Sequence, residues 1–166
     1  DMQLLQLNST PLLSWNPYYN GWDRSGSTVT GGASIHHPQG DAKKISTFTG
    51  TTQSSTWSDV DGNIGATNGH WTFPLWEATT NGQGVSEGGS SGSPLFNNAG
   101  RVIGTLSGGS SECGGPYTGD RYGKFSIHWQ NSVNGTGNAY ELKYWLDPAG
   151  TNPTTLNGFD PNVAAA

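Results

Sequence analysis

Basic residues are scarce in this chain: 7 Lys and Arg stand against 12 Asp and Glu, a net charge of −5 over 166 residues. A nucleic-acid surface needs a stripe of cations to displace counterions, and that stripe cannot be assembled here. Cysteine is nearly missing. Cys113 is the one thiol, so it is expected to be free or to bond outside the chain. No cysteine pair and no His-x-x-x-His spacing offers a zinc site, and no metal or other cofactor is expected. No apolar run reaches the ~20 residues that cross a bilayer. A basic and apolar leader is also missing, and residue 1 is Asp rather than Met; the chain reads as a mature or truncated piece.

What fills the chain instead is Gly, Ser, Thr and Asn, with 26 Gly and only 11% charged residues. That composition suits many short strands joined by turns, an all-β fold. Met2–Leu7 reads as a buried strand. Further strands are expected over Val29–His37, Lys43–Thr51, His70–Trp76, Pro94–Phe96, Val102–Leu106 and Tyr122–Trp129. Asn97-Asn98-Ala99-Gly100 is a tight hairpin turn in waiting, and Asp61-Gly62-Asn63 another turn. One helix is expected over Ala139–Leu146, where Leu142, Trp145 and Leu146 share a face. Asn138 would cap it and Pro148 would end it. Residues 149–166 lose all periodicity and read as a linker or disordered tail.

The most informative stretch is Glu87-Gly88-Gly89-Ser90-Ser91-Gly92-Ser93-Pro94-Leu95-Phe96. Acyl transfer needs an uncrowded hydroxyl and nearby N–H groups free to face a developing oxyanion. Gly89 and Gly92 permit backbone angles that a side chain forbids, and Pro94 stiffens the exit into a strand. By composition alone, a Gly-Ser-Ser-Gly-Ser run reads more often as a flexible loop.

Three segments together change that weighting: the serine stretch, Arg101–Cys113 followed by Asp120-Arg121-Tyr122-Gly123, and the opening Asp1-Met2-Gln3-Leu4-Leu5-Gln6-Leu7. In order and separation they resemble the chymotrypsin-like serine peptidases, and most closely the secreted bacterial lysyl-endopeptidase-like branch. Asn20–Arg24 and Ile35-His36-His37-Pro38 resemble that branch too. The resemblance covers most of residues 1–148. It implies the C-terminal part of a double β-barrel: residues 1–15 from the end of the first barrel, about 20–137 the second, and about 138–148 the closing helix.

The resemblance also implies roles. Asp1 would be the triad acid and Ser91 the nucleophile, with the amides of Gly89 and Ser91 forming the oxyanion hole. Asp120 would floor the specificity pocket and select Lys or Arg. Ser107, Gly108 and Gly109 would pair with the substrate backbone. In lysine-selective relatives a histidine stands at the place of Ser107, with a tryptophan matching Trp76 stacked nearby. Trp76 is present and that histidine is not, so arginine should be accepted with lysine. Ser90 departs from the animal enzymes, where an acid at this place pairs with a newly freed N-terminus. Read from the residues alone, Ser91 is equally a loop serine, Asp120 a turn aspartate, and 107–109 a hairpin edge.

A Ser–His–Asp triad needs an imidazole base, which in the resembling family lies upstream of the acid. His36, His37, His70 and His128 read as structural. The expected partner is therefore an N-terminal half carrying the histidine, and the chain alone is expected to be inactive. The complete protein would be a secreted bacterial endopeptidase acting on peptides with Lys or Arg before the cut. The rival is a non-catalytic β-module whose seven Trp form a face for carbohydrate or protein.

Overall fold

A computed structural model describes residues 2–163. Asp1 lies outside the described residues. The chain is mostly short strands: β1 Gly21–Asp23, β2 Gly32–His36, β3 Lys44–Phe48, β4 Gln53–Ser55, β5 His70–Thr72, β6 Ala78–Thr79, β7 Gly82–Gln83, β8 Pro94–Asn97, β9 Arg101–Gly108, β10 Arg121–Lys124 and β11 Thr155–Leu156. Two short helices follow β10, α1 Phe125–Gln130 and α2 Lys143–Leu146. The all-β expectation holds.

The main sheet runs β3-β2-β8-β9-β10-β5-β4, antiparallel at every step. The Glu77 N–H donates to the Thr47 carbonyl at 2.8 Å, which lays the segment after β5 against β3. β8 and β9 form the expected hairpin. Gly100 sits at φ +70°, and Asn97 Oδ1 accepts the N–H groups of Ala99 and Arg101. An Asn side chain that folds back on its own turn in this way fixes the hairpin register. Phe48, Trp71, Phe73, Trp76, Leu95, Ile103, Leu106 and Tyr122 make one continuous core. Phe48 stacks on Phe73 with centroids 4.2 Å apart.

Four expectations are corrected. Met2–Leu7 forms no strand; Leu4, Leu5 and Leu7 are exposed, because no strand among the described residues offers them a ladder. The strand read over Tyr122–Trp129 stops at Lys124 and continues as α1. Phe125 and Trp129 lie four apart, so a helix puts both on one face. There they join Trp22 and Leu142 in a second cluster. The helix read over Ala139–Leu146 is only the last turn, α2; Leu142 is buried, but Trp145 is half exposed and Leu146 more than a third exposed. The tail read as a linker contains β11, antiparallel to β1 through Trp22↔Leu156 and Asp23↔Thr155. Two residues of strand are too short to leave a periodic trace in a sequence.

Candidate active site

The nucleophile loop is tied down at both ends. The Ser90 N–H donates to the Glu87 carbonyl and the Ser93 N–H to the Ser90 carbonyl. The Gly92 N–H reaches the Leu106 carbonyl at 2.8 Å and the Leu106 N–H returns to the Ser93 carbonyl at 2.9 Å. These bonds hang the loop on β9. Gly89 at φ +92° and Gly92 at +78° make the two left-handed steps that turn successive residues in opposite senses. Ser90 is therefore buried, while Ser91 stands exposed. Among the described residues, no acceptor takes the N–H of Gly89 or Ser91. Two free amides flanking an exposed hydroxyl are what an oxyanion site requires.

Asp120, immediately before β10, is 2% exposed. Its Oδ2 accepts from Trp76 Nε1, Ser86 Oγ and Ser111 Oγ, each at 2.7 Å. Its Oδ1 accepts from the Ser111 N–H at 3.3 Å. Among the described residues, no Lys, Arg or His forms an ion pair with it. A buried carboxylate is costly unless it is paired; neutral donors hold this one. Oδ1 faces the Gly109 Cα, where an added Cβ would stand 2.0 Å from it. Gly109 thus leaves the carboxylate its space, and any larger residue there would displace it.

Trp76 does not lie where a substrate could reach it. It is fully buried, behind Asp120, and its ring N–H orients the carboxylate. The tryptophan beside the Ser107–Gly109 edge is Trp57, which the sequence did not flag. A Cβ on Gly108 would come within 2.8 Å of the Trp57 ring. Trp57 tilts against His70 at 6.5 Å between centroids, and His70 Nε2 lies 3.0 Å from Ser107 Oγ. An imidazole therefore does reach Ser107, from β5 across β10. No local pattern links residue 57 to 108; the one trace is Gly108, which makes room for a ring.

The four histidines are engaged away from Ser91. His36 Nδ1 lies 2.8 Å from Ser90 Oγ and Nε2 lies 3.1 Å from Ser46 Oγ. His37 Nδ1 meets the Asp41 carbonyl at 3.0 Å, and His128 Nε2 meets Thr105 Oγ1 at 3.1 Å. Of the seven Trp, Trp22, Trp71, Trp76 and Trp129 are buried, which leaves Trp15, Trp57 and Trp145 to contribute to an aromatic face.

Burial drives His70 down to about 4 and His128 down to about 4. His70 Nδ1 is buried with no partner, so protonation would add a charge and an unsatisfied donor. Both imidazoles are charged more readily in the unfolded chain, where the value is near 6.5. Their contribution to stability is therefore complete above pH 6.5 and is lost as pH falls from there toward 4. Each is worth at most about 3 kcal/mol, from 1.36 kcal/mol per unit. The urea midpoint should drop steeply over that window, and His70→Asn should flatten the drop. A midpoint unchanged between pH 6.5 and 4 would contradict the assignment.

A family profile described as lysyl endopeptidase, C-terminal domain, matches residues 1–123. The chain belongs to that family. Lysyl endopeptidase of Pseudomonas aeruginosa is 37% identical to it over 123 residues, 70% of this chain and 23% of the relative. The chain thus spans less than a quarter of that relative's length. In this lysyl endopeptidase C-terminal domain the matched span contains the serine loop, Asp120 and the 107–109 edge, and closes within β10. The two helices and β11 lie beyond it. Among the described residues no helix is long and apolar enough to cross a membrane.

Proposed function

We propose that this chain is the nucleophile- and pocket-bearing part of a secreted bacterial serine endopeptidase that cuts peptide bonds after lysine, and after arginine as well. Ser91 Oγ attacks the scissile carbonyl. The oxyanion that forms is met by the Gly89 and Ser91 amides, each worth about 3 kcal/mol in such sites. The amine leaves, an acyl-enzyme remains on Ser91, and water releases it. The substrate's ammonium or guanidinium pairs with Asp120, and its backbone lies along Ser107–Gly109. No cofactor takes part.

The observation that carries this reading is the pairing of an exposed Ser91 with two unclaimed amides on a loop pinned to β9. The buried, cation-free carboxylate of Asp120 supports the choice of a basic side chain, and the relative's name supports lysine. None of the four histidines bonds to Ser91. The general base is therefore assigned to a histidine outside these 166 residues, with Asp1 as the acid that orients it. The complete protein carrying this chain should cut a denatured test protein at Lys–X and Arg–X bonds, and the chain by itself should not. Peptide products mapped by mass spectrometry decide it; ends dominated by aromatic or small residues would refute the pocket assignment.

A further inference from the structure

The side of the nucleophile loop that faces the protein interior is held by the end of β2 and the residues after it, through two hydrogen bonds and one close approach. His36 Nδ1 meets Ser90 Oγ at 2.8 Å. The Gln39 N–H donates to the Gly88 carbonyl at 2.6 Å, which turns that carbonyl inward and leaves the next N–H, that of Gly89, pointing the other way. The His37 carbonyl lies 3.0 Å from where a Gly89 Cβ would stand. His36 and Ser90 are 3% and 1% exposed, so their bond is closed to water.

The protons in this cluster can be placed. Ser46 Oγ donates to the Val85 carbonyl at 2.8 Å and accepts the Val85 N–H at 3.1 Å. Its one proton is then spent, so toward His36 it can only accept, and Nε2 must carry the imidazole hydrogen. Nδ1 is then an acceptor and takes the Ser90 hydroxyl proton. Ser90 Oγ in turn accepts the Glu87 N–H at 3.2 Å. Every proton has one acceptor in a relay from Glu87 through Ser90, His36 and Ser46 to Val85.

We propose that His36, neutral and protonated on Nε2, is the positioning residue that holds Ser90, and through it the Gly89 and Ser91 amides, in the oxyanion-binding arrangement. It holds the loop from the interior side through neutral hydrogen bonds alone. Acid opens the relay: a proton on Nδ1 confronts the Ser90 hydroxyl, whose other neighbour is a donor, and the Ser90 proton loses its acceptor. Burial keeps His36 below its ordinary range and His37 adds to that, against the pull of the Asp120 and Glu87 charges, which favour the proton. Lys44, opposite His36 in register on β3, is tied to Asp41 at the surface.

This inference rests on the peptidase reading for its kinetic arm alone. In the complete enzyme, with active sites counted by a serine-directed phosphonofluoridate, His36→Phe should lower kcat ten- to a hundredfold with KM within about twofold, a fraction of the 10²–10³ lost with an oxyanion donor. His36→Asn, which keeps an acceptor near Nδ1 and cannot titrate, should recover most of that rate. If His36→Phe does not fold, Ser90→Ala should show the same kcat loss. Wild-type kcat per titrated site in either variant overturns the proposal. The ¹⁵N shifts of the His36 ring in the labelled wild-type protein should show Nε2 protonated and Nδ1 bare at neutral pH. The opposite tautomer, or a charged ring, overturns it whatever the activity. A peptidase reading that fails shows itself separately, as no adduct on wild-type Ser91.

Discussion

Replacing Asp120 by asparagine is expected to cut kcat/KM for lysine substrates by at least about 10³ in the complete enzyme, at about 1.4 kcal/mol per tenfold. Asparagine keeps the shape and keeps an oxygen for Trp76, Ser86 and Ser111, which converge on Oδ2. What it removes is the charge. With the carboxylate present, a lysine ammonium entering the pocket gains a desolvated partner, while an apolar side chain leaves that carboxylate buried and unpaired, at several kcal/mol. Asp120→Asn should therefore bring norleucine and lysine substrates close together by slowing lysine rather than by speeding norleucine alone. Asp120→Ser should do the same and cost stability as well, since three buried donors lose their acceptor. A substrate library run on wild type and Asp120→Asn reads this directly. A lysine preference that survives the substitution would place the selector elsewhere.

Ser91→Ala carries the largest expected effect, a fall in kcat on the order of 10⁶, the scale on which triad nucleophiles fail. KM should hardly move, because Ser91 makes no hydrogen bond that shapes the loop; the turn is held by Ser90, Gly92 and Ser93. Stability should be unchanged for the same reason. Stopped assays under substrate saturation, together with a thermal melt, separate this from unfolding. Retention of more than about a hundredth of the rate would move the nucleophile to another residue.

Much of this site was legible in the sequence because its signals are local. The Gly-Ser run, the proline after it and the Asn97–Gly100 turn each specify their own backbone, and the structure forms β8 and β9 around them. The all-β class followed from composition in the same way. What escaped depends on contacts between distant segments. Trp57 and Gly108 are brought together by the path from β5 across β10 to β9, and nothing near either residue announces it. Trp76 resembles a pocket residue by its order in the chain; its burial behind Asp120 is a property of the packed core. Phe125 and Trp129 continue β10 in an apolar run that reads as strand, and only Trp22 and Leu142 make their helical spacing worthwhile. Residues 155–156 pair with β1 and cover its outer edge. The local sequence marks His36 as no more than structural; its bond to Ser90 is what gives the relay its place beside the nucleophile.

The central claim is that one serine of three in this loop is activated. Treating the complete protein with diisopropyl fluorophosphate, and locating the adduct by tandem mass spectrometry of the peptide spanning residues 84–101, tests it most directly. The account predicts a single stoichiometric adduct on Ser91 and none on Ser90, whose hydroxyl is buried against His36, or on Ser93. An unmodified peptide, or an adduct on either neighbour, would contradict it.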